Sequence, residues 1–128
     1  MSGLVALGRV LLGGFFVLAG LSKLLDPSAP VGMMAEQGFP APGLLVWPVI
    51  ALEMVGGALV AWGRRWLAPT VLALAAFTLA TNLGFHRFWE MPDPLMRQLE
   101  LSLFFKNLAI MGGLLLLLPA PAKGRPTG

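Results

Sequence analysis

Four long apolar runs stand out along the chain, separated by polar or helix-breaking residues. The runs extend from Gly3 to Leu25, from Gly43 to Trp62, from Trp66 to His86 and from Leu99 to Leu118. Each is close to the roughly 20 residues that an α-helix needs to cross a bilayer. The runs lack the alternation of apolar and polar positions that is typical of outer-membrane strands. The pattern therefore predicts an all-α, integral membrane four-helix bundle.

The segments between the runs contain residues that end helices. Proline and glycine are frequent in the first of these segments, and Pro92 and Pro94 interrupt the third. The second consists only of Gly63, Arg64 and Arg65 and predicts a tight helical hairpin. Residues Val31 to Gln37 are predicted to form a short interfacial helix in the first external loop. We predict one transmembrane domain over residues 1–118 and a flexible, basic cytoplasmic tail over residues 119–128.

The composition agrees with a membrane protein and excludes several classes of function. Apolar residues make up 57% of the chain and charged residues 12%, whereas soluble domains have roughly 45–50% and 25%. The chain has no cysteine, which excludes disulfides, thiolate ligands and thiol relays of its own. Its basic residues are scattered, so the net charge of +3 does not indicate nucleic-acid binding. One histidine without cysteine predicts no metal site.

The distribution of Lys and Arg predicts the orientation in the membrane. Arg64 and Arg65 lie in the second loop, and Lys123 and Arg125 lie in the tail, whereas the loop of residues 27–42 has neither residue type. Cytoplasmic loops carry the excess of Lys and Arg. We therefore expect a multi-pass protein of the inner membrane with both termini in the cytoplasm.

Three ionisable residues lie deep inside the apolar runs, several residues from the run ends: Arg9, Glu53 and Lys106. A charge at this depth is costly unless it faces the bundle and finds a partner. Depths estimated from the helical rise place Glu53 between Arg9 and Lys106, so we expect one coupled cluster and treat these residues as the catalytic candidates. The alternative is a buried group of ion pairs that fixes the helix register without chemistry.

Helix one carries charges and glycines on the same face. Arg9, Gly13, Phe16, Gly20 and Lys23 follow one another at intervals of four and three residues. Small residues on a helix face allow another backbone to approach closely. Gly57 lies one turn from Glu53 in helix two, and Lys106, Ile110 and Gly113 form a similar stripe in helix four. We therefore expect the faces of these three helices to meet in one core.

The outer half of the bundle is predicted to contain a polar pocket. The same depth estimate places five further binding candidates there, namely Lys23, Asn82, His86, Glu100 and Asn107. His86 also has an alternative role as an interfacial anchor, because Arg87, Phe88 and Trp89 follow it directly.

The order of short motifs resembles the DoxX family of small membrane proteins. The resemblance extends from Gly8 to about Leu118 and rests on Gly8-Arg9, Gly20 with Lys23, Gly38 to Pro42, Leu52-Glu53 with Gly56-Gly57, His86 to Trp89, and Phe105 to Ala109 with Gly112-Gly113. It implies a membrane protein of four helices. It also implies that Arg9, Glu53, Lys106 and Asn107 occupy the family's recognisable polar positions.

The resemblance implies an association with quinone chemistry. The family takes its name from components of archaeal terminal quinol oxidase and thiosulfate:quinone oxidoreductase preparations, and some bacterial members are linked to oxidative-stress complexes. The first hypothesis is therefore a membrane subunit of a redox system, in which Glu53 handles protons and the cluster binds a quinone. No flavin, haem or iron–sulfur motif is present in the sequence, so a soluble redox partner would supply the electrons.

Two further hypotheses need no quinone. The chain could be a non-catalytic membrane anchor or assembly partner, which needs only the fold, its loops and contact with lipid. It could also be a carrier of small solutes or ions built as a homo-oligomer, since four helices enclose little space. The three hypotheses differ in whether the buried charges face a ligand, a transport path or only one another.

Overall fold

The computed structural model describes residues 2–120, which contain helices and no strand. The five α-helices are α1 (Gly3–Leu25), α2 (Ser28–Glu36), α3 (Pro42–Trp62), α4 (Leu67–Phe85) and α5 (Pro94–Leu115), and a short 3-10 helix spans Phe88–Glu90. The prediction of an all-α fold is confirmed. Of the predicted tail, only Pro119 and Ala120 are among the described residues.

Three stretches of helix are long and apolar enough to cross a membrane: Gly3–Leu25, Pro42–Trp62 and Leu67–Glu90. They correspond to the first three predicted runs. Helix α5 is also 22 residues long, but its first turns carry Arg97, Gln98 and Glu100 and are less apolar. A fourth crossing therefore stays a prediction.

Helix α5 begins five residues before the predicted Leu99, and the reason is its N-terminal cap. The Asp93 carboxylate accepts a hydrogen bond from the backbone N–H of Leu95, and Pro94 occupies the first turn. Both are favoured helix-start features. The prediction from the apolar run placed this start too late, because the run excludes the polar residues at the beginning of the helix. The helix ends at Leu115, after which the chain continues in turns.

Helix α2 is a short helix in the first loop, as predicted, although it begins at Ser28 instead of Val31. Met34 is buried and packs with Val46 and Ile50 of α3, whereas Met33 on the neighbouring face is exposed. The helix therefore lies against the end of α3 and covers it. Its position relative to the membrane surface stays a prediction.

The closest approach in the fold is between α1 and α3. A Cβ atom at Gly13 would collide with the carbonyl oxygen of Gly57, and a Cβ at Gly57 would collide with the carbonyl oxygen of Gly13. The two backbones are thus in direct contact, because neither residue has a side chain there. The predicted meeting of the helix-one and helix-two faces is confirmed, and it fixes the register of α1 against α3. The helix-four stripe does not join them as a whole, since its Lys106 is exposed.

One apolar core joins the four long helices. Its buried members are Phe16 of α1, Val60 of α3, Val71, Leu74 and Ala75 of α4, and Leu114 of α5. Contact between α1 and α5 is sparse, so α5 is held mainly by α4. The helices follow the order α1, α3, α4 and α5 around this core.

Candidate functional site

Glu53 forms an ion pair with Lys23. The Lys23 Nζ lies 2.9 Å from Oε2 and 3.0 Å from Oε1 of Glu53 and donates to both. The Glu53 side chain is 5% exposed and that of Lys23 is 28% exposed. A buried carboxylate is stable only with such a partner. The pair therefore links the middle of α3 to the last turn of α1.

The register of α1 and α3 explains this pairing. The backbone of Gly20 packs against Glu53 and Met54, and a Cβ at Gly20 would lie 3.1 Å from the Cβ of Glu53. Lys23 lies one turn further along the same face of α1 and reaches the carboxylate from there. Glycine at position 20 thus leaves the room that Glu53 occupies.

Arg9 does not reach Glu53, contrary to the prediction of one cluster. Its Nη1 donates to the backbone oxygen of Trp62, at a distance of 3.3 Å, and its guanidinium packs on Gly63, where φ is +69°. The depth estimate placed Gly3 and Trp62 at the same height along the bundle. In the structure, Arg9 is the α1 residue at the height of Trp62. The arginine supports the C-terminal end of α3, where a positive charge is favourable.

Lys106 also lies away from Glu53, so this part of the prediction is wrong as well. The residue is exposed on the outside of α5, and its Nζ lies 5.8 Å from the centre of the Phe15 ring. Depth along a helix axis does not specify which face a residue occupies. The next residue of α5, Asn107, is the one that is buried inside the bundle.

Asn107 and Asn82 form a buried amide pair between α5 and α4. The Asn107 Nδ2 donates to the Oδ1 of Asn82 over 2.8 Å, and the Asn82 Nδ2 donates to the backbone oxygen of Phe104 over 3.0 Å. Asn82 is completely buried. Both the oxygen and the nitrogen of the Asn82 amide are thus bonded within the protein, so the pair stabilises the contact of the two helices.

His86 and Glu100 form a second link between the same helices, closer to their loop. The Nδ1 of His86 lies 2.8 Å from the Oε2 of Glu100, and both side chains are mostly buried. A carboxylate at one ring nitrogen fixes the ring's orientation. The other nitrogen of His86 remains for a second partner.

A cavity of about 400 Å³ lies beside the Lys23–Glu53 pair. It is bounded by α1, α2, α3 and α4 at the end of the bundle that α2 covers. Its lining is mainly apolar, and its polar residues are Ser22, Lys23, Glu53, Thr81 and His86. The volume falls within the roughly 300–1,000 Å³ typical of small-molecule sites. A few polar groups within an apolar wall suit a ligand with a polar head and an apolar body.

The cavity brings together only some of the residues predicted for the outer pocket, and its place in the outer half of the membrane stays a prediction. Lys23 and His86 line the cavity, and Glu100 contributes through its bond to His86. Asn82, Asn107, Lys106 and Arg9 do not line it. Among residues 2–120, no group of three or more His, Cys, Asp or Glu is arranged to hold a metal ion.

Sequence reasoning missed the polar residue Thr81 and the contribution of α2. Thr81 lies on one face of α4 with Phe77 and Phe85, spaced by four residues, and this spacing could have indicated a shared surface. Its hydroxyl donates to the backbone oxygen of Phe77 and so keeps its lone pairs for a ligand. The α2 residues that close the cavity gave no such signal.

Comparison with known proteins decides the family. The sequence model of the DoxX family matches residues 4–87. The chain belongs to the DoxX family. It is 36% identical over 114 residues to the inner membrane protein YqjF of Escherichia coli strain K12, a match that covers 88% of this chain and 80% of YqjF.

A second relative is the inner membrane protein YphA of the same strain. The identity is 26% over 114 residues, covering 89% of this chain and 80% of YphA. No solved structure matches the chain. The family and the apolar helices together establish this DoxX-family chain as an integral membrane protein.

Proposed function

We propose that this DoxX-family protein is a membrane subunit of a quinone-linked redox or oxidative-stress system, and that its cavity binds the quinone head group. The observation that carries the proposal is the Lys23–Glu53 ion pair in the wall of a mainly apolar cavity. An ion pair that served only to hold two helices would need no adjoining space. Here a ligand has access to both charged side chains.

The residues of the cavity fit a quinone chemically. A lysine ammonium has three N–H donors, and Lys23 directs two contacts at Glu53, which leaves a donor for a quinone carbonyl. The second carbonyl would accept from the Nε2–H of His86 in its doubly protonated form, since the Nδ1–H of that ring already donates to Glu100. The apolar wall formed by Met33, Phe77 and Phe85 would contact the ring.

Within this proposal, Glu53 and His86 transfer the protons. Reduction of a quinone to a quinol adds one proton to each of its oxygens. The ionised Glu53 would first accept a proton from water and then pass it to one oxygen, and a His86 ring protonated on both nitrogens would give its Nε2 proton to the other. Lys23 would stabilise negative charge on the head group. The electrons would come from a soluble redox partner, because the chain itself carries no redox-active side-chain cluster in its sequence.

The proposal includes four membrane crossings in the inner membrane, with both termini in the cytoplasm. Both relatives are inner membrane proteins by name. Helix α5 is about 33 Å long, the thickness of the hydrocarbon core, and buries Leu114 in the common core. Single cysteines at Ser28 and Thr127 should react with an impermeant maleimide from opposite sides of sealed vesicles, because three crossings, including that of α5, would separate them. Labelling from the same side would refute this topology.

The ligand is tested by equilibrium dialysis of the protein in lipid nanodiscs against a radiolabelled, short-chain ubiquinone analogue. The wild type should bind saturably, and Lys23→Met should lose binding. Lys106→Met is the matched control, since it removes an equal charge outside the cavity. The absence of saturable binding in the wild type, or equal loss in both variants, would refute the quinone site.

A second candidate function is that of a membrane anchor or assembly partner. It is favoured by the Lys23–Glu53 pair itself, in which each charge already has a partner within the chain. In that case Lys23→Met would lower stability while the wild type bound no quinone. Dialysis and thermal unfolding of the same preparations therefore distinguish the two functions.

A further inference from the structure

Lys106 is a cation on the outer face of a helix. It lies twelve residues after Pro94 and nine before Leu115 in α5, which places it about 18 Å and 14 Å from the two helix ends. A lysine side chain reaches only about 6 Å. If α5 crosses the bilayer, as the proposed topology has it, the ammonium cannot reach either membrane surface by extending along the helix.

The described part of the chain offers this ammonium an aromatic ring and no carboxylate. Its Nζ lies over the face of Phe15, 5.8 Å from the centre of the ring, which is within the range of a cation–π interaction. Such a contact orients the ammonium without neutralising it. The ion pairs among residues 2–120 do not include Lys106.

The surface around Lys106 would admit another helix. Ser102 and Ala109, one turn before and one turn after, are small and exposed. Gly112 follows on this side, and a Cβ there would meet no atom within 4 Å. Small residues flanking a polar one are the usual features of contacts between membrane helices. We call Ser102, Lys106, Ala109 and Gly112 the Lys106 face.

A second copy of this chain does not supply the missing charge. The carboxylates within the long helices are those of Glu53 and Glu100, and these are bound by Lys23 and His86 respectively. Two copies joined through the Lys106 face would also bring two cations together. The partner must therefore carry a carboxylate that this chain lacks at that depth.

We propose that the Lys106 face binds a transmembrane helix of a different protein, and that this helix presents a mid-membrane Asp or Glu to Lys106. The proposal rests on the four-crossing topology of the proposed function but not on quinone binding. The carboxylate would sit beside the ammonium over the Phe15 ring. The small residues on either side would let the two backbones approach.

The test uses synthetic transmembrane peptides of leucine and alanine that carry one central Glu, Gln or Leu. The peptides carry a fluorescent acceptor, and the donor is attached to Arg65→Cys in this cysteine-free chain. In lipid vesicles without quinone, energy transfer should be saturable with the Glu peptide. Lys106→Met should weaken that association roughly tenfold, whereas Lys106→Arg should retain it.

The control variant is Val55→Ala, on the exposed side of α3, which should bind the Glu peptide as the wild type does. Equal energy transfer from all three peptides, or no effect of Lys106→Met, would overturn the proposal. So would Lys106-dependent energy transfer between two copies of the chain. Because quinone is absent, these results are independent of the dialysis, and the cysteine labelling tests the shared topology separately.

Discussion

The α1–α3 and α4–α5 pairs both bury polar side chains, but they do so in different ways. Lys23 and Glu53 join α1 to α3 with two opposite charges, and a cavity of about 400 Å³ adjoins them. Asn82 and Asn107 join α4 to α5 with neutral amides that do not line that cavity. The first pair is accessible to a ligand, whereas the second is enclosed by protein.

A polar residue inside a membrane helix therefore does not by itself indicate a binding site. Both pairs satisfy the physical requirement that buried polar groups find partners. What separates them is the space beside the partners. His86 connects the two regions, because it lines the cavity and is held by Glu100 of α5.

The largest effect is expected from removing the close contact on which the α1–α3 pair depends. Gly13→Leu would place a side chain where the backbone of Gly57 lies, so the helices must separate. We expect a loss of several kcal/mol, roughly 4 or more, in the free energy of unfolding. Thermal unfolding in detergent, followed by circular dichroism, measures it.

Gly14→Leu is the matched control, since a Cβ at Gly14 meets no atom within 4 Å. It should unfold within a few degrees of the wild type. Equal destabilisation by the two changes would show that the Gly13–Gly57 contact does not hold the helices together.

The second prediction concerns the charges themselves. Lys23→Met leaves the Glu53 carboxylate buried without a partner and should destabilise the protein by roughly 3 kcal/mol. Adding Glu53→Gln removes the remaining charge and should restore much of the stability while leaving quinone binding absent. A double-mutant cycle in unfolding free energy measures the coupling.

The cycle of Glu53→Gln with Lys106→Met serves as the comparison, because Lys106 lies outside the cavity over Phe15. Its effects should be additive. Coupling between Glu53 and Lys106 that exceeded the coupling between Glu53 and Lys23 would contradict the pairing described above.

Sequence reasoning could predict the helices and the α1–α3 contact because both follow from local patterns. The lengths of the apolar runs predict the helices, and the spacing of Gly13, Gly20 and Lys23 predicts that they share one face of α1. It could not predict which cation pairs with Glu53. That choice depends on a shift of α1 along α3 by about two turns, and the glycine contact sets this shift only once the helices pack.

The cavity could not be predicted from the sequence, because it also depends on how the helices pack. It requires α2 to fold back over the end of α3, which depends on the burial of Met34 against Val46 and Ile50. The left-handed backbone at Ala41, with φ of 45°, redirects the chain into α3. Composition gives little indication of this turn, because alanine rarely adopts that conformation.

The smallest effect is expected from the enclosed α4–α5 pair, and it sharpens the contrast between the two regions. Asn107→Leu removes the donor to Asn82 and leaves one amide oxygen of Asn82 buried without a partner. We expect a loss of about 1–3 kcal/mol in the free energy of unfolding. Quinone affinity should stay within a factor of two of the wild type, since Asn107 does not line the cavity.

Asn82→Leu together with Asn107→Leu should lower the free energy of unfolding by less than the sum of the single changes, because no unpaired amide remains. Dialysis and thermal unfolding of the same preparations separate the two readouts. A loss of quinone affinity in Asn107→Leu at unchanged stability would place the amide pair in the site and remove the distinction between the two regions.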